Sequence, residues 1–271
     1  MSMDKSAIEK IQETANIPQL IEQLNGSQVP IALAPESFRL LDLEKHQEHL
    51  SRFRGEFTTQ CIPDFIEYVK KHDGEGVRCF INQDSMSAKT IFDLGTVEKP
   101  LHQEHCSKLA LKKTAAFKDL LRNEGVQMSQ RDLIAFIEDW NANIQAISTI
   151  GEEVSIKKAI DSIRSITVEN QSSVESVQED FGSNLTTSEK IELKNRNVQV
   201  NALMFTCVPY EGLKERVFEL RISISTDRGI GMKFRMVGKE AVEEEMATEF
   251  KDLIKSDLEE TKVETFIGQF S

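Results

Sequence analysis

Met128-Ser-Gln-Arg-Asp-Leu-Ile-Ala-Phe-Ile-Glu-Asp-Trp140 is the stretch on which the fold turns. Ser129 stands where a helix N-cap belongs, and Asp132, three residues on, supplies the reciprocal side chain of a capping box. The helix is therefore predicted to begin at Gln130, with Met128 and Leu133 spaced for a hydrophobic staple. Leu133, Ile137, Trp140, Ile144 and Ile147 then recur three or four residues apart, which predicts one apolar stripe and a helix over 129–150. Such a stripe must be buried, so this helix is expected at a core.

On the N-terminal side, helices are predicted over 4–13 and 17–24, followed by a short strand over 29–34. Residues 62–72 read as a helix with Pro63 in its first turn, stopped by Gly74 and Gly76. Strands over 77–81, 89–94 and 105–111 follow, then a helix over 114–123 with Gly125 as its stop. A further helix is expected over 155–163. After Arg164 the texture changes to short alternating runs, 166–168, 174–178, 190–193, 198–205, 217–224 and 231–236, that fit an antiparallel meander. Thr226-Asp-Arg-Gly229 is the expected hairpin connection between the last two. A long acidic helix over 239–258 and a strand over 263–267 complete the chain.

Strands followed by helices, without strict βαβ alternation, make this an α+β protein. The N-terminal half mixes helices and short strands, and the C-terminal half is an antiparallel sheet with a long terminal helix. Three segments are expected: a helical 1–28, an α+β region 29–164, and a β-rich 165–271 sharing one core with the second.

With 271 residues, 39% of them hydrophobic, the chain can build a sizeable core. A net charge of −12 disfavours a generic binder of phosphate backbones. No signal peptide is recognisable, nor an apolar run of about 18 residues. The cytoplasm is the expected location, without membrane association. Cys61, Cys79, Cys106 and Cys207 are widely separated, which predicts reduced, mostly buried thiols.

Asp93, His102, His105 and Cys106 come nearest to a metal set, but their spacing matches no zinc pattern. On a strand, His105 and Cys106 point to opposite faces, so no metal or other cofactor is expected. Asp84, Ser85 and Ser87 offer a carboxylate and hydroxyls at a strand end, which a polar hairpin loop explains equally well. No P-loop, GxGxxG, GxSxG or HExxH occurs, so no catalytic residue is assigned and the lean is away from an enzyme.

Two charge blocks remain. Residues 99–131 hold seven Lys or Arg against three acids, and Lys108, Lys112, Lys113, Lys118 and Arg122 are candidate phosphate contacts. Residues 239–264 hold ten acids against four lysines. Val242, Met246, Phe250, Leu253, Ile254 and Leu258 supply that helix's packing stripe, which leaves Glu243, Glu244, Glu245 and Asp252 as candidate partner contacts.

Phe65-Ile-Glu-Tyr-Val-Lys-Lys-His72, His105 with Leu109-Ala-Leu-Lys-Lys-Thr114, and Gln130 to Asp139 together resemble the YfdQ-like family of tailed phages and prophages, a family of unknown function. Phe218 to Ser225 and Gly231 to Met236 resemble that family's paired strands before its terminal helix. The resemblance runs from about residue 30 onward. It departs at Leu101 and Phe117, where the family has tryptophans, and at His102, where it has no histidine. It implies a phage or prophage origin and an intracellular role, and no reaction.

Three classes of function follow. The first is a non-catalytic protein that binds a host or phage macromolecule, in DNA metabolism or in interference with host defence. The partner would be a protein, with nucleic acid as a second class. The other two are an enzyme on nucleic acid or nucleotides, using Asp84, Asp93 and His105, and a homo-oligomeric assembly protein.

Overall fold

The computed structural model describes residues 48–166, 200–225 and 231–270, together with positions 5, 15, 18, 22 and 44. The chain divides into two units, Met1–Phe53 and Arg54–Ser271. In the first, the Glu44 carboxylate accepts both the backbone N–H and the hydroxyl of Ser51. The helices predicted over 4–13 and 17–24 and the strand over 29–34 lie outside the described residues, but for single positions.

The second unit holds, in order, β1 (Gly55–Thr59), α1 (Ile62–Lys71), β2 (Arg78–Asn82), β3 (Ser87–Ile91), β4 (His105–Ala110), α2 (Ala115–Asn123), α3 (Gln130–Asp139), β5 (Ile144–Ile147), β6 (Glu153–Val154), α4 (Ile156–Arg164), β7 (Ala202–Cys207), β8 (Arg216–Ser225), β9 (Gly231–Met236), α5 (Lys239–Leu258) and β10 (Glu264–Ile267). The protein is α+β. Among the described residues, no helix is long and apolar enough to cross a membrane.

Local chemistry sets most helix starts. α1 carries a proline and Asp64 in its first turn and Lys70 and Lys71 in its last, matching the helix dipole at both ends. Thr114 caps α2 by accepting the Phe117 N–H. Ser129 and Asp132 form the capping box of α3 with both reciprocal bonds present. α5 follows a tight turn at Gly238, whose φ of 65° favours a residue without Cβ.

The helix predicted over 129–150 is corrected: α3 ends at Asp139. Leu133 and Ile137 are fully buried, as the stripe predicts, whereas Trp140 is the C-cap and only half-buried. Asn141–Asn143 makes one 3-10 turn, and Ile144 and Ile147 belong to β5. Two asparagines are weak helix formers. The Asn143 side chain donates to the Thr206 carbonyl at 2.7 Å, which fixes the turn against β7. Once the helix breaks, the β-branched residues after it gain more by pairing with β7.

The first sheet runs β1-β4-β3-β2-β10. β3 is antiparallel to both neighbours, while β1 pairs β4 and β10 pairs β2 in parallel. The second sheet, β6-β5-β7-β8-β9, is antiparallel throughout. β9's outer edge is covered by the chain before α3, where Met128 and Met232 exchange N–H···O bonds at 2.8 Å. The strands predicted at 174–178 and 190–193, most of 166–168 and the turn at 226–229 lie outside the described residues.

The sheets interleave in sequence. β5 and β6 precede residue 165 yet join the second sheet, and β10, the last element, closes the first. One apolar cluster runs from Ile62 to Val263 and draws on both sheets and on each of the helices α1 to α5. A smaller cluster of Ile91, Leu94 and Cys106 lies under Phe80 and Phe270.

Candidate functional site

α5 buries Met246, Phe250, Ile254 and Leu258 and leaves an acidic side outward. Clefts open on either side of it. Their geometry follows from three short segments that hydrogen bonds lock together.

The first segment is the turn from β2 to β3, residues 83–86. Met86 adopts a φ of 49° there, its N–H donates to Gln83 O, and its carbonyl accepts the Leu111 N–H. The second is Lys112 to Thr114, which pairs with the third, Val208 to Glu211. The Thr114 hydroxyl donates to Val208 O at 2.6 Å, its N–H donates to Pro209 O, and Glu211 N–H donates to Lys112 O. Lys113 and Tyr210 thereby face each other across a bridge. Lys239 at the start of α5 pairs with Glu124 just past α2, at 3.2 Å.

These constraints frame a cleft of about 570 Å³. Asp84, Lys113, Tyr210, Glu243 and Glu244 supply its polar lining, and Met86, Phe117 and Met246 its apolar part. The Phe117 and Tyr210 rings lie 5.7 Å apart. Burial, and then the Glu243 carboxylate, push the Tyr210 phenol above its usual range, so it remains a neutral donor.

The second cleft, about 940 Å³, follows the other side of α5 and is lined by Lys214, Arg216, Glu244, Glu245, Glu249 and Asp252, among others. Arg216, at the start of β8, reaches Glu249 at 2.6 Å and Glu245 at 2.9 Å. Glu249 also accepts the Lys214 N–H at 2.9 Å. The acids read from sequence as free contacts therefore divide. Glu245 is paired with Arg216 and Asp252 with Lys251 at 3.0 Å. Glu243 and Glu244 form no ion pair among the described residues, and both face the smaller cleft.

The five basic candidates do not converge on one surface. Lys108 lies on β4 and pairs with Glu56 at 2.7 Å. Lys112 pairs with Glu211, and Arg122 with Asp119. Lys118 is exposed on α2, and Lys113 lines the smaller cleft.

The set Asp93, His102, His105 and Cys106 is likewise dispersed. His105 is buried on the core-facing side of β4, where Tyr68 Oη and its Nε2 lie 3.2 Å apart. Its ring lies 4.3 Å from that of Phe92, tilted by 31°, and meets His72 edge-on at 5.0 Å. Cys106 belongs to the small cluster on the opposite face and donates to Glu56. The Asp93 carboxylate accepts the backbone N–H groups of Glu104 and His105. His102 is exposed. Among the described residues, no three His, Cys, Asp or Glu side chains converge as a metal site would require. Asp84 and Asp93 sit beyond opposite ends of β3, and five residues at about 3.3 Å each keep them apart. Sequence reasoning gave no role to Tyr210 or Arg216, which stand in no recognisable motif, nor to His72, which ends a stretch that carries the family resemblance.

Residues 2–270 match the model of a family described as Uncharacterized conserved protein (DUF2303), and the chain belongs to that family. No curated protein and no solved structure matches the chain.

Proposed function

We propose that this member of an uncharacterized family is a non-catalytic binding protein, encoded by a phage or prophage, that docks a basic segment of a host or phage protein on the acidic side of α5. Phage origin rests on the resemblance to YfdQ-like proteins. The role would lie in DNA metabolism or in interference with host defence, in the cytoplasm of the bacterial host. The carrying observation is that Glu243 and Glu244, without ion pairs among the described residues, face one cleft together with Asp84. Unpaired carboxylates beside a concave surface steer a cationic partner and cost the fold little. The enzyme reading gains nothing from Asp84 and Asp93 at opposite strand ends.

The test is Glu243→Lys with Glu244→Lys. The variant should keep its melting temperature, because exposed charges contribute about 0–1 kcal/mol each. Affinity purification from infected or lysogenic cells should lose the partner, and wild-type capture should weaken with salt, since exposed charges are screened beyond about 8 Å at physiological ionic strength. Retention of every partner at wild-type strength across the salt series refutes the reading.

A second reading, a homo-oligomer, is favoured by β10. Among the described residues it is an edge strand, with Phe266 and Ile267 44% and 49% exposed. An unpaired apolar edge is a template for another chain. Light scattering that gives a monomer at every concentration removes it.

A further inference from the structure

The smaller cleft beside α5 has a composition that narrows what it accepts. Its three carboxylates come from segments far apart in sequence, Asp84 on the β2–β3 turn and Glu243 and Glu244 on α5, so it is more than a local acidic run. Phe117 and Met246 are buried and form its apolar part, with the Tyr210 ring beside them. At about 570 Å³ it lies within the size range of small-ligand pockets. Among the described residues, Lys113 is the only base in its lining.

Three separate attractions act on one kind of guest. An apolar wall holds a hydrocarbon stem while the charged head stays at the polar part. An aromatic ring attracts a cation over its face. Carboxylates form short charge-assisted bonds to ammonium and guanidinium donors. An anion would meet three carboxylates and one lysine, and an uncharged apolar guest would strand the carboxylates.

Building on the proposed partner site, we infer that this cleft is a receptor for a single organic cation, an alkylammonium or alkylguanidinium group, presented as a Lys or Arg side chain of the docked protein. Glu243 and Asp84 hold the charged head, Tyr210 and Phe117 flank the stem, and Lys113 limits affinity by repulsion.

The experiment uses the full chain and isothermal titration with L-arginine amide, spermidine and inorganic phosphate. Wild type should bind arginine amide saturably at one site. Asp84→Asn with Glu243→Gln, isosteric changes at exposed positions whose folding is checked by melting, should weaken it about tenfold or more, the scale of one lost charge-assisted bond. Lys113→Met should tighten it about threefold, the scale of an exposed charge pair. Spermidine bound much more tightly than arginine amide keeps the cation chemistry and makes a free polyamine the guest. No saturable binding of either cation overturns the inference, as does binding indifferent to both variants or phosphate binding lost in Lys113→Met. Partner loss on reversing Glu243 and Glu244 with no cation binding defeats the cleft alone. Cation binding with every partner retained defeats the partner site alone.

Discussion

Replacing Arg216 by Met should destabilise the protein far more than replacing Arg216 and Glu249 together by Met and Leu. Arg216 links the start of β8 to α5 through bonds of 2.6 Å to Glu249 and 2.9 Å to Glu245. Its side chain is 18% exposed and that of Glu249 15%, whereas Glu245 is 67% exposed and adds little. Breaking a fully buried ion pair by removing one member costs about 3–5 kcal/mol, because a charge is left without compensation. The residual exposure here scales that to about 2–3 kcal/mol for Arg216→Met. The Arg216 Nε is buried without a partner, so part of the pair's gain is already spent on its desolvation. The double variant removes both charges and that orphan donor, and loses only the acceptor for the Lys214 N–H, so it should return to within about 1 kcal/mol of wild type. Urea unfolding followed by circular dichroism measures each value, and a melting decrease of about 5–10 °C should accompany the single change. An unchanged Arg216→Met variant, or a double variant at least as unstable as the single one, would refute the view of this pair as a clip whose cost lies in its half-broken state.

Thr90 is fully buried on β3, and its hydroxyl meets no oxygen or nitrogen partner, which leaves it only a weak contact with the Cys79 thiol on the paired strand. Thr90→Val should therefore match or exceed wild-type stability, by up to about 1 kcal/mol in urea unfolding, and a clear loss would contradict the orphan hydroxyl. Cys61 is exposed, while burial pushes the Cys79 thiol up to about 11 and the Cys207 thiol up to about 12 and raises Cys106 as well. Labelling of the native protein at mildly alkaline pH should modify one thiol, assigned to Cys61 by mass spectrometry. A second thiol reacting equally fast would count against the packing. Burial, followed by His72, holds His105 below the usual imidazole range, against a smaller opposing effect of Asp93. The unfolded chain then binds the proton more readily than the folded one, so stability present at neutral pH falls as pH drops through about 6.5 and levels off below the folded value. Melting from pH 8 to 5 should decline more steeply in wild type than in His105→Gln, and parallel curves would dismiss the contribution.

Helix starts were the most legible part of the sequence, because a cap is a local chemical event. Ser129 and Asp132 form their capping box where spacing places it, and the helix read from Thr114 begins one residue later, with Thr114 as its cap. α5 is bounded as its apolar stripe predicts, since a twenty-residue amphipathic run has few alternatives. The end of α3 was not legible. Spacings of three and four continue through Ile144 and Ile147, and only the pairing of β5 with β7, about sixty residues later, decides against helix. The candidate site was legible as charge and illegible as pairing. Composition marks α5 as acidic, yet Glu245 and Glu249 are claimed by Arg216, a cation about thirty residues away in sequence. The cleft joins a turn, a bridge and a helix from three distant segments, which no local pattern encodes.

The position of β10 carries a consequence for the chain as it is made. Arg78 on β2 and Glu264 on β10 are register partners separated by 186 residues. On a ribosome adding about 5–20 residues per second, β2 waits on the order of ten seconds or more for its outer neighbour. During that interval a strand bearing Cys79, Phe80 and Ile81 has one open flank, the condition under which nascent chains pair with one another or recruit chaperones. A ribosome that stalls or terminates before residue 264 leaves that flank open for good. Abundance in the cell should thus be more sensitive to termination between residues 258 and 264 than the small size of β10 suggests.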